Sequence, residues 1–241
     1  PFYWYINMKK IAFLLIVILV ASCSKTKPDL IVKGNIKGLK KGTVYLSKAL
    51  DSTYQVLDSM VLNGTSNYEL KSSIDEPEVL FLSLDANSNK ENYISFFANK
   101  GTTEINTTLK RFAFDYTVNG CEQQRKLEEF NTVAKKYNNK RLELIKQQFD
   151  ALSEGNSIKA DSIISEAEKN IKRKYLYTIN FAINNKNSEV APYLALSEIY
   201  DANITYLDTI YKVLPENIAN SKYGKSLEIF IKERKETEAT N

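Results

Sequence analysis

The chain has 241 residues, a formal net charge of +4 and no histidine. Without imidazole, Ser-His-Asp and Cys-His catalysis and every histidine-containing metal site are excluded. The 33 basic and 29 acidic residues are well mixed, so nothing argues for nucleic acid.

Residues 8–23 read MKKIAFLLIVILVASC. Lys9 and Lys10 form a positive start, Ile11 to Val20 is an unbroken apolar run, and small residues lead into Cys23. The run is too short to cross a bilayer, which takes about 20 apolar residues. A membrane anchor is the alternative to a cleaved signal; length, basic flank and small-residue exit favour the signal. Residues Pro1 to Asn7, with Trp4, precede the well-placed start Met8 and are expected to lie upstream of the translated protein. Val20-Ala21-Ser22-Cys23 resembles the lipobox of bacterial lipoproteins. That resemblance implies cleavage before Cys23, diacylation of its thiol and acylation of the new amine. Removing residues 1–22 takes away two lysines and lowers the net charge from +4 to +2. The tether over residues 23–29 is basic, whereas surface-sorted lipoproteins of Bacteroidetes carry acidic residues there. The expected location is therefore the periplasmic side of the envelope, with the outer membrane as the anchor. Once Cys23 is lipidated, Cys121 has no cysteine of its own chain to pair with.

Residues 30–120 read as short strands. Leu30 to Lys37 is followed by the turn Gly38 to Gly42 and by Thr43 to Leu50. Asp58 to Leu62 and Ser66 to Leu70 flank Asn63-Gly64, a hairpin signal. Val79 to Leu84, Tyr93 to Ala98, Thr103 to Leu109 and Phe112 to Val118 complete about eight strands, the spacing of an antiparallel β-sandwich.

Residues 121–241 change to a helical period. One stripe runs Leu127, Phe130, Ala134, Tyr137, Leu144, Gln148, Leu152. After a break at residues 153–157 a second runs Ile164, Ala167, Ile171, Tyr175, Ile179, Ala182. Two helices of similar length joined by a short loop predict an antiparallel hairpin. Shorter helices follow from Asn187, over Thr205 to Leu214 with a stop at Pro215, and from Ser221 to about Lys235, with Glu236 to Asn241 expected to fray. The fold class is thus α+β.

The stretch Val32 to Leu46, which follows the pattern Ile-x-Gly-x-Ile-x-Gly-Leu-x-x-Gly-x-Val-Tyr-Leu with valine at its first position, resembles an uncharacterised N-terminal domain of Bacteroidetes lipoproteins. Gly120 before the first helix and the lipobox also fit. In that family a thioredoxin-like AhpC/TSA thiol–disulfide oxidoreductase domain usually follows. Its Trp-Cys-x-x-Cys motif occurs nowhere in this sequence, so no catalytic residue carries over.

Cys121 opens a helix, where free N–H groups favour a thiolate, but Glu122 beside it opposes one. It is a candidate free thiol, read first as a small residue at a helix start. Seven tyrosines of the helical half (175, 177, 193, 200, 206, 211 and 223) are read as packing residues, with a ligand groove as the alternative. Asp51-Ser52-Thr53, Asp58-Ser59-Met60, Asp161-Ser162-Ile163 and Asp208-Thr209-Ile210 resemble the O-glycosylation sequon of Bacteroidetes periplasmic proteins. They make Ser52, Ser59, Ser162 and Thr209 candidate acceptors; ordinary turn and helix-start use is the alternative. The charged runs Lys169 to Lys174 and Lys232 to Lys235 read as solvated helix faces. No metal or cofactor is expected. The expected function is a non-catalytic binding or scaffolding lipoprotein, partnered by the membrane and an envelope protein. The alternatives are an accessory or truncated relative of thiol–disulfide oxidoreductases, and a glycan- or peptide-binding lipoprotein. Cys23→Ala is expected to abolish acyl labelling in cells and to leave a larger, uncleaved precursor on a denaturing gel. Normal processing and labelling of that variant refutes the lipobox.

Overall fold

The computed structural model describes residues 27–50, 53–84 and 92–240; Cys23, Ser52 and the signal-like segment lie outside them. The first half holds β1 (Leu30–Lys37), β2 (Lys41–Leu50), β3 (Thr53–Asn63), β4 (Asn67–Ser72), β5 (Glu78–Ser83), β6 (Tyr93–Ala98), β7 (Gly101–Thr108) and β8 (Tyr116–Asn119). The second holds α1 (Glu122–Ser153), α2 (Ser157–Asn184), α3 (Val190–Glu198), α4 (Ile204–Lys212), the single turn α5 (Glu216–Ala219) and α6 (Lys222–Thr240). The fold is α+β, as the change of period at the middle of the chain predicts.

The strands form two four-stranded sheets, ordered β4-β1-β7-β8 and β3-β2-β5-β6. Alternating side chains from both meet in one core: Leu30, Val32 and Ile36 of β1 and Ile105 of β7 on one side, Leu46 of β2, Leu82 of β5 and Phe96 of β6 on the other. Two expectations are corrected. The sheets are mostly antiparallel, but β1 and β7 run parallel, from Leu30 opposite Gly101 to Lys37 opposite Thr108. The Asn63-Gly64 turn does not close a hairpin, because β3 and β4 belong to different sheets. Gly64, at φ 80°, instead turns the chain from one sheet into the other.

At that shared edge, side chains replace the missing ladder. The Asp58 carboxylate accepts the Lys71 N–H at 2.7 Å, and Met60 Sδ accepts the Glu69 N–H at 3.5 Å. Backbone donors of an edge strand that would otherwise invite another chain are thereby occupied.

Gly34 explains itself by crowding. It lies between Tyr68 of β4 and Ile105 of β7 in the register. A Cβ there would stand 1.8 Å from the Ile105 carbonyl oxygen. That oxygen is free to accept the Tyr68 hydroxyl, at 2.9 Å across the glycine, and the Asn35 N–H goes to Asn106 Oδ1 at 2.9 Å. Burial pushes the Tyr68 phenol well above its ordinary range, so it remains a donor.

The helices add two further cores. Val79 and Phe97, on the outer face of the second sheet, pack with Leu127 and Phe130 of α1, Phe181 of α2 and Leu194 of α3. That sheet is covered on both faces, which is why β5 (EVLFLS) and β6 (YISFFA) read as nearly continuous apolar runs. The other core joins the end of α2 to α3, α4 and α6 through Ile179, Ala195, Leu207, Ile210 and Leu227. Beyond these cores α1 and α2 continue as a bare two-helix hairpin. There the predicted stripes are rotated: Ala151, Ala160 and Asn170 are buried, whereas Leu152, Ile164 and Ile171 are exposed. The expected fraying after Lys235 is also corrected. Helix α6 runs to Thr240, with Arg234 bonded to Glu238 at 2.8 Å one turn on.

Gly34→Ala is expected to destabilise the chain by about 3 kcal/mol, the upper end for overpacking, because backbone rather than a side chain must give way. Urea denaturation measures it, and an unchanged midpoint refutes the close approach.

Candidate functional site

Sheet β3-β2-β5-β6 ends on β6, whose outer edge is met by the start of α1. Phe97 has both backbone groups taken by side chains. Gln124 Oε1 accepts its N–H at 2.8 Å, and the Cys121 thiol lies 3.5 Å from its carbonyl oxygen as donor. Gln124 is itself buried and donates to Glu128 at 2.8 Å. Opposite Phe97 in the register, the Val79 N–H points the other way and is accepted by the Tyr223 hydroxyl at 2.8 Å. The Tyr193, Tyr223 and Phe97 rings meet edge to face with centroids 5.1 to 5.8 Å apart. Lys222, at the start of α6, bonds Glu76 through its backbone N–H at 2.7 Å and pairs with Glu78 through its ammonium group.

This setting decides the chemistry of Cys121. Burial pushes its thiol above the ordinary range. The N–H groups of Gln124 and Gln123 pull the other way, and Glu189 adds to the upward push. The net direction is upward, so the sulfur is a protonated donor at neutral pH. The helix start does not win over burial here. Tyr193 and Tyr223 are packing residues.

A second concavity is different in kind. Where the root of the hairpin meets the end of α3, a cleft of about 310 Å³ is lined by both polar and aromatic groups, among them Tyr137, Arg141, Tyr175 and Tyr200. Its frame is fixed. Asn170, buried, donates to the Tyr137 carbonyl at 3.0 Å, and Lys174 pairs with Glu198 at 2.8 Å. The Tyr175 hydroxyl bonds Asp201 at 2.7 Å, and its phenol is pushed up to about 12, first by burial and then by that carboxylate. Arg234 of α6 clamps the loop by donating to the carbonyls of Tyr200 and Ala202, each at 2.8 Å. Lys174, Glu198 and Asp201 are engaged with one another or with the frame, whereas Arg141 makes no ion pair with any described residue. Among the described residues its guanidinium is the charged donor of the lining without an ion pair, beside the half-exposed ring of Tyr200. Sequence alone marks Tyr175 and Tyr200 among many tyrosines; nothing in it singles out Arg141, which is one basic residue of a mixed helix.

The remaining candidates are scattered. Ser59 is exposed on β3, Ser162 on α2 and Thr209 on α4, so no two share a site. The charged neighbour of each differs. Asp58 bonds the Ser59 N–H at 2.8 Å and the β4 edge, while Asp208 pairs with Lys212 and Lys235 at 2.6 and 2.8 Å. Among the described residues no group of three or more His, Cys, Asp or Glu is placed to hold a metal ion, and no helix is long and apolar enough to cross a membrane.

A β-sandwich with its outer sheet buttressed by helices defines the class of this chain as an α+β protein. Residues 30–127 match the model of a family described as a domain of unknown function, DUF4369. The match runs past Gly120 to Leu127 and so includes Cys121 and Gln124, the residues that seal β6. No curated protein matches the chain.

Cys121 is expected to react with iodoacetamide at pH 8 more slowly than an unstructured cysteine, and at the ordinary rate in urea. Folded-state alkylation as fast as in urea refutes the protonated, half-buried thiol.

Proposed function

We propose that this chain is a lipid-anchored, periplasm-facing envelope protein that binds a partner without chemical turnover. The anchor and compartment rest on the lipobox-like segment ending at Cys23 and on the basic tether. The binding role rests on one observation: the cleft at the hairpin root holds a guanidinium, Arg141, with no ion pair among the described residues, while Lys174 and Glu198 already pair with each other and Asp201 already accepts the Tyr175 hydroxyl. A fixed cleft with one uncommitted donor fork and aromatic walls suits recognition of a carboxylate. The ligand class is an extended peptide segment of an envelope protein that presents an acidic side chain or its C-terminus. Cys121 favours this role over the redox-accessory alternative, since its thiol is held protonated as a donor to the sheet edge.

A peptide array probed with the chain tests the cleft. Acidic peptides are expected to be retained, and Arg141→Ala to weaken their binding about tenfold or more, the worth of one charge-assisted hydrogen bond. Tyr200→Ala weakens them less. Binding of neutral and acidic peptides alike, unchanged in both variants, overturns the assignment. Retention of acidic oligosaccharides in place of peptides, still dependent on Arg141, moves the ligand to the glycan class.

A further inference from the structure

The outer part of the α1/α2 hairpin buries one thin seam and leaves a second apolar stripe in water. On α1, Leu142, Ile145, Phe149 and Leu152 follow at steps of three and four residues, with Phe149 70% and Leu142 64% exposed. That spacing is a continuous helix face with the a/d repeat of an interhelical seam. At about 100° per residue it lies roughly a third of a turn from the inward line of buried Leu144 and Ala151 with half-buried Gln148 between them. On α2, Ile164 and Ile171 are exposed and lie to the same side of their own inward line, buried Ala160 and Asn170 with half-buried Ala167 between them. In an antiparallel pair these offsets point to one common face. Together the six side chains leave on the order of 500 Å² of apolar surface in water. That approaches the apolar share of the ~800 Å² that each partner buries in a stable homodimer.

The charges say what covers it. Lys140 pairs with Glu166, and Asn170 reaches the Tyr137 carbonyl, which fixes the height of one helix against the other. Counting from these contacts toward the tip, Lys146 on α1 stands level with Asp161 on α2. Neither makes an ion pair within the described residues. They flank the apolar stripe on the two outer edges of the hairpin. A second copy related by a two-fold axis along the hairpin sets α1 of one copy on α2 of the other. The basic edge then meets the acidic edge twice, by symmetry.

We propose that this face is a self-association surface, and that two copies join through it into a four-helix bundle with both tips pointing the same way. The occupant is a second copy because one chain supplies both the apolar face and the opposite charges.

Sedimentation equilibrium of the full chain in a mild detergent is expected to give twice the chain mass, falling to one on dilution. Phe149→Ser removes two buried rings per dimer and is expected to weaken association about a hundredfold. Because Phe149 is exposed in the single chain, circular dichroism and melting of the variant match those of the unsubstituted chain at dilutions where both are single chains. Lys146→Glu weakens association, and Lys146→Glu with Asp161→Lys restores it. A single chain mass at every concentration overturns the proposal. So does a dimer indifferent to Phe149→Ser, or a double variant no better than Lys146→Glu. Loss of binding to phosphatidylglycerol vesicles in Phe149→Ser, with the mass always that of one chain, assigns the stripe to lipid instead.

Discussion

The helical half meets the edge of the sheet at the backbone of one residue. Phe97 gives its N–H to Gln124 and receives the Cys121 thiol on its carbonyl. An edge strand has these groups unpaired by definition, and leaving a buried amide without a partner costs about 1–3 kcal/mol. The first turn of α1 removes that cost and in doing so fixes where the helix starts and how it leaves the sheet. The Phe97 ring then anchors Tyr193 and Tyr223, and Tyr223 reaches across to Val79 one strand further in. One strand pair therefore orients α1, α3 and α6 together, and the cleft at the hairpin root inherits its geometry from them.

The far edge of the sandwich is closed by a different device, with Asp58 and Met60 serving the amides of β4. Both solutions use side chains as surrogates for a neighbouring strand. Sheet growth is blocked at these places, while exposed apolar side chains remain on both halves, among them Val61 and Phe114 in addition to the stripe on the hairpin.

Much of this architecture is legible in the residues. Alternation in LIVKGNIK and the 3.6 period after Glu122 are local properties, and they place the strands and the long helices. What the residues conceal is non-local. Asn63-Gly64 has the chemistry of a tight hairpin, but turn chemistry fixes only the bend, not whether the flanking strands pair. The parallel β1–β7 ladder joins segments some seventy residues apart and leaves no local mark. The hairpin stripes misassign Leu152, Ile164 and Ile171, since both of its faces carry apolar residues at helical spacing and periodicity alone cannot say which one meets the partner helix. Cys121 is visible as a helix-start thiol, but what keeps it protonated is burial against the core around Phe97, helped by the charge of Glu189, and both are distant in sequence. Arg141 is found only when the pairing of its neighbours is known.

The position of β1 also sets a timetable for the nascent chain. Its antiparallel partner β4 follows within a few tens of residues, but its other edge stays unpaired until Gly101 to Thr108 has been made. The interior of the sandwich is exposed until then, while β2 and β3, neighbours in the chain, can join at once. Long-range parallel pairing of this kind makes folding slow and leaves an open strand edge in the interim. Late closure of β1 by β7 therefore keeps the polypeptide open and extensible after its first hairpin has formed.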